Sequence, residues 1–242
     1  MGISTKIKSY IKQRLSPKGA RRLAFWRSNL RAIPYGFQLP TLARIYGTDK
    51  GMGHQFMRHY QTHLRRFKFK RLRMLEIGVG GYEDPLQGGA SLRMWRRYFP
   101  FGQIWAIDIH EKQFHAERRI HIRQGSQREP AFLKQLYEEM GRAEVIIDDG
   151  SHFVEDVILS FEVLFPLLET GGIYVIEDTQ TSYWEVCGGS NDRVSGRNTM
   201  NYFKKLAAGL NFREYPEPGY TPGYFDLHIV SIHYYHNLIF IY

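Results

Sequence analysis

The chain has 242 residues, with 33 Lys and Arg against 24 Asp and Glu and a formal net charge of +9. That length holds one full α/β core and is short for two domains with linkers. Cys187 is the only cysteine, which excludes an intramolecular disulfide and a cysteine-based zinc site and suits a reducing cytoplasm. No apolar run reaches the length of a membrane-spanning helix.

The charge is concentrated at the start. No acid precedes Asp49, whereas ten Lys and Arg do, so residues 1–38 read as a basic arm ahead of a domain spanning 39–242. Ile3, Ile7, Tyr10, Ile11 and Leu15 form a rough apolar stripe along that arm. The pattern fits an amphipathic surface helix, a contact with nucleic acid or an anionic membrane surface, or an organelle transit segment. The plainest reading is a solvated or subunit-packing arm. The myristoylation pattern is broken by Lys6, and no apolar segment with a small-residue cleavage site marks a secretory signal.

In chain order, LPTLARIYGTDKGMG (39–53) closes on Gly47, Gly51 and Gly53, a loop signature. HQFMRHYQTHLRRF reads as a helix, and FKFKRLR is basic. His54, His59 and His63 fall roughly along one face of that helix, as surface or interface residues. From residue 72 strands and helices alternate: LRMLEIGV, then ASLRMWRRYF; QIWAIDI; RIHIRQ, then PAFLKQLYEEM with Pro130 in its first turn; AEVII, then HFVEDVILSFEVLFPLL; and GGIYVIED. Short, continuously apolar strands between helices predict an α/β fold, a doubly wound and mostly parallel sheet covered on both faces. TMNYFKKLAAGL is a further helix. The apolar runs LHIVSIHYY and LIFIY predict a closing antiparallel pair that stays strand-like to the chain end.

Ligands of open α/β sheets bind beyond the carboxyl ends of the strands. Here those ends carry Glu76 with Gly78, Asp108, Gln124 to Gln127, Asp148 with Asp149, and Glu177 with Asp178. In LEIGVGGY the third glycine of a dinucleotide fingerprint is replaced by Glu83, an acid where a pyrophosphate would sit. S-adenosylmethionine, which is cationic and lacks a pyrophosphate, fits better. Gly78 and Gly80 allow close backbone approach, Glu76 is an acid beside the cation, and Asp108 is placed to accept from ribose hydroxyls. Ser126 and Gln127, after the third strand, are candidates for the adenine edge. A tight structural turn is the competing explanation for the glycines.

The stretch DDGSH holds Asp148, Asp149 and His152, and the neighbouring strand ends in Glu177 and Asp178. Unpaired carboxylates gathered in a buried place repel one another, a penalty that a divalent cation removes. An oxygen-rich ligand set of Asp149, Glu177 and Asp178 points to Mg²⁺ (or Mn²⁺). His152 is the candidate general base for an acceptor hydroxyl. Asp149 or Ser151 as a plain helix cap is the alternative.

YGTDKG (46–51), LEIGVGGY, PLQGGASLRMWRRYFPFGQIWAIDI (85–109), DDGSH and VIEDTQTSYW (175–184) together resemble a family of sugar O-methyltransferases of the macrolide deoxysugar type, from about Leu42 to about Leu210. The resemblance implies a class I methyltransferase fold using S-adenosylmethionine and Mg²⁺. It places the metal ligands at Asp149, Glu177 and Asp178, the base at His152, and Asp148 with the cofactor residues. It adds Thr48 and Lys50, in a loop closing over the site, as contacts to the cofactor's methionine portion. It further implies a glycoside or other sugar-bearing acceptor; a homo-oligomer is expected, and the single cysteine sets the expectation of a cytoplasmic enzyme. Those enzymes carry a sizeable N-terminal domain where this chain has its basic arm. Tyr183 and Trp184 are placed either to stack on a sugar or to pack under a loop, and 185–198 reads as a mobile lid or rim. The rival reading is an RNA-binding protein or nucleic-acid methyltransferase using the arm. It lacks an aromatic-basic RNA motif, so no nucleic-acid partner is expected.

Overall fold

A computed structural model describes residues 15–194 and 196–242. Most of the arm's predicted apolar stripe, Ile3 to Ile11, lies outside the described residues. Seven strands form one sheet in the order β3-β2-β1-β4-β5-β7-β6. They are β1 (Arg73–Ile77), β2 (Gln103–Asp108), β3 (Ile120–Gln124), β4 (Val145–Asp148), β5 (Ile173–Glu177), β6 (Ile232–Tyr235) and β7 (Leu238–Ile241). The first five are mutually parallel, and β7 runs antiparallel to both β5 and β6, so the closing pair is as predicted.

Period-2 alternation sorts each strand onto two faces. Met74, Ile104, Ile147, Val175 and Phe240 pack under α2 (Leu39–Tyr46), α4 (Met57–Leu64) and α5 (Ala90–Tyr98). Leu75, Ile107, Ile146, Tyr174 and Ile239 pack under α6 (Pro130–Met140), α7 (Val154–Leu164) and α8 (Thr199–Gly209). Residues 17–31 of the arm form α1 (Pro17–Arg31), capped by Ser16, whose hydroxyl accepts from Gly19 N at 3.2 Å. This helix is held to the body where the Arg93 guanidinium lies 3.4 Å from the Phe25 ring centre and the Tyr46 hydroxyl donates to Asn29.

Two segments differ from their reading in sequence. The stretch 39–53 is largely helical: α2 ends at Gly47, whose φ of 75° stops it, and α3 (Asp49–Met52) follows at once. Pro40 sits in the first turn of α2, where it starts a helix rather than breaking one. Farther on, the apolar run after Tyr224 begins as α9 (Tyr224–His228). There Asp226 accepts from Gly223 N at 2.8 Å, and only Ile232 onward is strand.

Candidate active site at the carboxyl edge of the sheet

Ile77 is in register with Asp148, and Asp148 with Ile176, so the chain leaves β1, β4 and β5 side by side. Gly78 has φ 95°, and a Cβ there would run into the Asp149 carbonyl. Glycine is required by both the dihedral and the approach of the two strand exits. Gly80 is also left-handed, with φ 80°.

The adjacent acids Asp148 and Asp149 diverge because successive side chains point to opposite faces. Asp148 enters the layer beneath α7 and is 1 % exposed. There it accepts from the Ser160 hydroxyl at 2.6 Å and from Gln127 Nε2 at 3.2 Å. Burial pushes its carboxyl up to about 6 against those hydrogen bonds. Gln127 also accepts from Ser151 N at 2.8 Å, so it ties the loop after β3 to the loop after β4. Ser126 Oγ accepts from Arg128 N within its own turn.

Asp149 lies on the other side, among Glu76, Glu177, Lys50 and Tyr60. The YGTDKG turn delivers Lys50 on α3. Its ammonium lies 2.5 Å from Asp149 Oδ2, 2.8 Å from Glu177 Oε1 and 3.3 Å from Glu76 Oε1. Burial alone would lower the Lys50 pKa, but the three carboxylates together hold it well above the usual value. Tyr60, on α4, donates its hydroxyl to Glu177 Oε1. Burial pushes Glu76 up to about 7, with Lys50 opposing the rise, and raises Glu177 well above an ordinary carboxylate. The charge penalty that suggested a metal in the sequence is therefore met at Glu76 and Glu177 by a buried lysine. Thr48, 3 % exposed, precedes α3 and donates to Asp49.

A third group faces outward. His152 Nε2 lies 3.9 Å from Asp149 Oδ1 and 3.8 Å from Asp178 Oδ2, and one ligand atom from each of these residues falls within 4.8 Å of the others. His152 and Asp178 both have left-handed backbones, φ 60° and 53°. Strained residues of this kind persist where the surroundings hold them, often at functional sites. The two carboxylates, each only partly exposed, fit a divalent cation that keeps positions for water or substrate, and the imidazole stands beside them with Nε2 left for a proton. Glu177 neighbours this set while its Oε1 is taken by Lys50 and Tyr60. His54 Nδ1 lies 3.4 Å from Asp178 Oδ1.

At the end of β2, Asp108 accepts from Val79 N at 3.0 Å through one oxygen and from His110 N at 2.9 Å through the other. The carboxylate thus anchors the glycine loop and retains further lone pairs for hydroxyl donors.

Tyr60 and His54 were missed as site residues. The three histidines grouped in sequence separate in space: His54 lies before the helix and joins Asp178. His59 stacks on Tyr235 at 3.8 Å, and His63 is buried against Phe240 at 4.1 Å. Tyr60 carried no signal beyond helical spacing. Trp184 is 51 % exposed at the rim. The loop 185–198 is pinned where Asn198 and Asn201 side-chain amides donate to the Asp192 carbonyl.

Five parallel strands followed by a reversed final strand, with the site at their carboxyl edge, define a class I methyltransferase fold. No family model matches the chain. It is 44 % identical over 206 residues to demethylmacrocin O-methyltransferase of Streptomyces fradiae, covering 84 % of this chain and 52 % of that protein. Identity to mycinamicin VI 2''-O-methyltransferase of Micromonospora griseorubida is 43 % over 206 residues, 84 % of this chain and 52 % of the relative. A solved structure of the MycE methyltransferase from the mycinamycin pathway, in complex with Mg and SAH, superposes with a TM-score of 0.82 at 42 % identity. It covers 84 % of this chain and 54 % of that one. A second, with Mg, SAH and mycinamycin VI, gives 0.81 at 42 % identity, over 84 % of this chain and 53 % of that one. The chain belongs to the family of these O-methyltransferases and spans about half their length. No helix among the described residues is long and apolar enough to cross a membrane.

Proposed function

We propose that the protein is a metal-dependent O-methyltransferase moving the methyl of S-adenosylmethionine to a hydroxyl of a sugar on a glycosylated natural product or glycan. The observation that carries this reading is the convergence of Asp149, His152 and Asp178 at the strand ends, beside the glycine loop that Asp108 anchors. It is supported by the relatives' names and by the MycE complexes with Mg and SAH.

Gly78, Gly80 and Asp108 would hold the cofactor's backbone-facing and ribose portions, with Ser126 along the adenine side. Gln127 and Asp148 brace that wall from beneath. Thr48 and Lys50 bring the 46–51 turn over the methionine side, next to Glu76. Asp149 and Asp178 would hold the cation, with Glu177 joining them by releasing its bond to Lys50 or Tyr60. When bound, Mg²⁺ or Mn²⁺ acidifies an acceptor hydroxyl, and S-adenosylmethionine presents an electrophilic methyl. His152 would accept the hydroxyl proton at Nε2, and bound S-adenosylmethionine would supply the methyl, its S–CH3 bond breaking as the O–CH3 bond forms and S-adenosylhomocysteine leaving. Asp149 and Asp178 flank that imidazole at 3.9 and 3.8 Å and fix its place beside the acceptor position.

Residues 39–242 are the methyltransferase domain in this reading and 1–38 its arm. A cytoplasmic location is supported by the single cysteine, and a homo-oligomer and an arm that reaches a membrane surface are part of the same proposal.

The test is transfer of labelled methyl to a panel of rhamnosyl and other deoxyhexosyl glycosides, with Mg²⁺ and with excess chelator. Label that depends on the metal and is lost in His152→Ala supports the reading. Transfer undiminished by chelator removes the cation from it, and absence of S-adenosylhomocysteine binding removes the methyltransferase reading altogether.

A further inference from the structure

The first 75 residues hold eighteen Lys and Arg against one acid, Asp49, whereas the remaining 167 hold fifteen against twenty-three. The fold gathers much of the basic part at the amino edge of the sheet, the end opposite the site. The segment 65–71 leads into β1, and 99–102 leads into the neighbouring β2, where Gln103 N donates to Leu72 O at 2.8 Å. Large apolar side chains stand out of this edge. Ile33 is 58 % exposed, Phe37 55 %, Phe69 61 % and Phe101 56 %. Phe37 and Phe69 meet edge-on at 5.5 Å, and the Lys68 ammonium lies 3.7 Å from the Phe37 ring centre. Ile33 ends a stripe with Trp26 and Leu30, at i, i+4 and i+7, that is exposed along α1.

We infer that this amino-edge face docks on an anionic lipid bilayer, with Phe37, Phe69 and Ile33 entering the interface and Lys68, Lys70 and Arg71 meeting the headgroups. The stretch has no acid from Lys50 to Leu75, and Glu144 and Glu169 face it from the starts of β4 and β5. Exposed aromatic and aliphatic side chains among Lys and Arg in such a stretch are the composition that binds anionic membrane surfaces. A nucleic-acid strand fits less well, because stacking needs open ring faces and Lys68 already covers that of Phe37. A second copy of the face would bring like charge onto like charge. Strands of about five residues separate this edge from the site by roughly 17 Å. Docking therefore leaves the carboxyl edge turned toward water and open to acceptors.

The experiment is co-sedimentation of the whole chain with phosphatidylcholine vesicles, with and without about one-third phosphatidylglycerol, at low and high salt. Binding is expected to the anionic vesicles alone, weakened by salt. It should fall about tenfold in Phe37→Glu/Phe69→Glu and again in Lys68→Glu/Lys70→Glu, with circular dichroism unchanged because these side chains are at the surface. No sedimentation with anionic vesicles overturns the inference. So does full binding by the Phe37→Glu/Phe69→Glu variant, which would assign the effect to arm charge alone. Single-stranded RNA binding or a concentration-dependent dimer, lost in the same variants while vesicles stay unbound, overturns it as well.

Discussion

The Lys50 ammonium, on a four-residue helix near the start of the domain, lies 2.8 Å from Glu177 Oε1 at the end of β5, 127 positions along the chain. This pair joins the loop over the site to the strand end that carries Asp178. With Glu76 and Asp149 on the same ammonium, one buried cation serves three carboxylates. Replacing it by an isosteric apolar residue strands the carboxylates. Lys50→Met is expected to lose about 3–5 kcal/mol of stability at pH 7.5, with a smaller loss at pH 5.5, where the buried acids take up protons. Urea unfolding at the two pH values measures both.

Tyr60→Phe removes a hydroxyl that donates to Glu177 and nothing else in the ring's packing. The expected loss is about 1–2 kcal/mol, smaller than for Lys50→Met, because one donor to an acid is lost and the buried positive charge remains. If Glu177 turns toward the cation when the site is loaded, Mg²⁺ should raise the Tm of Tyr60→Phe more than that of the unaltered protein. Differential scanning calorimetry with and without Mg²⁺ reads the difference.

Two glycines separate dihedral strain from collision. Gly78 has φ 95° and faces the Asp149 carbonyl, whereas Gly171 has φ 75° with open space around it. Gly171→Ala is expected to cost about 1 kcal/mol. Gly78→Ala should cost about 2–4 kcal/mol and weaken S-adenosylhomocysteine binding, since the clash moves the strand exits apart. Chemical denaturation and calorimetric titration of the two variants give the comparison.

Acid sensitivity is expected from two histidines remote from the Asp149–His152–Asp178 corner. His115 is held down to about 4 by burial first and by the nearby Arg93 cation second. His63 is held down to about 4 by burial first, beside His233 and His59. A histidine whose folded pKa is depressed binds its proton more readily unfolded, so stability is full above the unfolded value near 6.5 and falls as pH drops toward 4. Each contributes a loss of about 2 kcal/mol between pH 7.5 and 5. His115→Gln should flatten that dependence by about this amount, read from urea midpoints across the range.

The strand-helix alternation was legible because its signals are local. The helix read as PAFLKQLYEEM with Pro130 in its first turn is α6, Pro130–Met140, and β4 and β5 are continuous apolar runs ending in acids. The helix at 39–46 was harder to read, because its glycines stop two short helices in succession where the sequence suggests one loop. At the site, Asp149, His152 and Asp178 could be brought together by reasoning that neighbouring parallel strands end side by side. The partners of Glu177 could not. Lys50 and Tyr60 reach it from elements more than a hundred residues earlier, and no local periodicity reports such a pairing. The divergence of Asp148 from Asp149 was implicit in the period-2 rule, yet it needed the positions of Ser160 and Gln127 to show where the buried member goes.

The most direct measurement is titration of Mn²⁺ followed by electron paramagnetic resonance, on the unaltered chain, Asp178→Asn and Ser126→Ala. One ion per chain, with binding weakened at least about tenfold in Asp178→Asn and untouched in Ser126→Ala, is the expected result. Failure to bind Mn²⁺, or equal binding by Asp178→Asn, would contradict a cation site at the Asp149–His152–Asp178 corner.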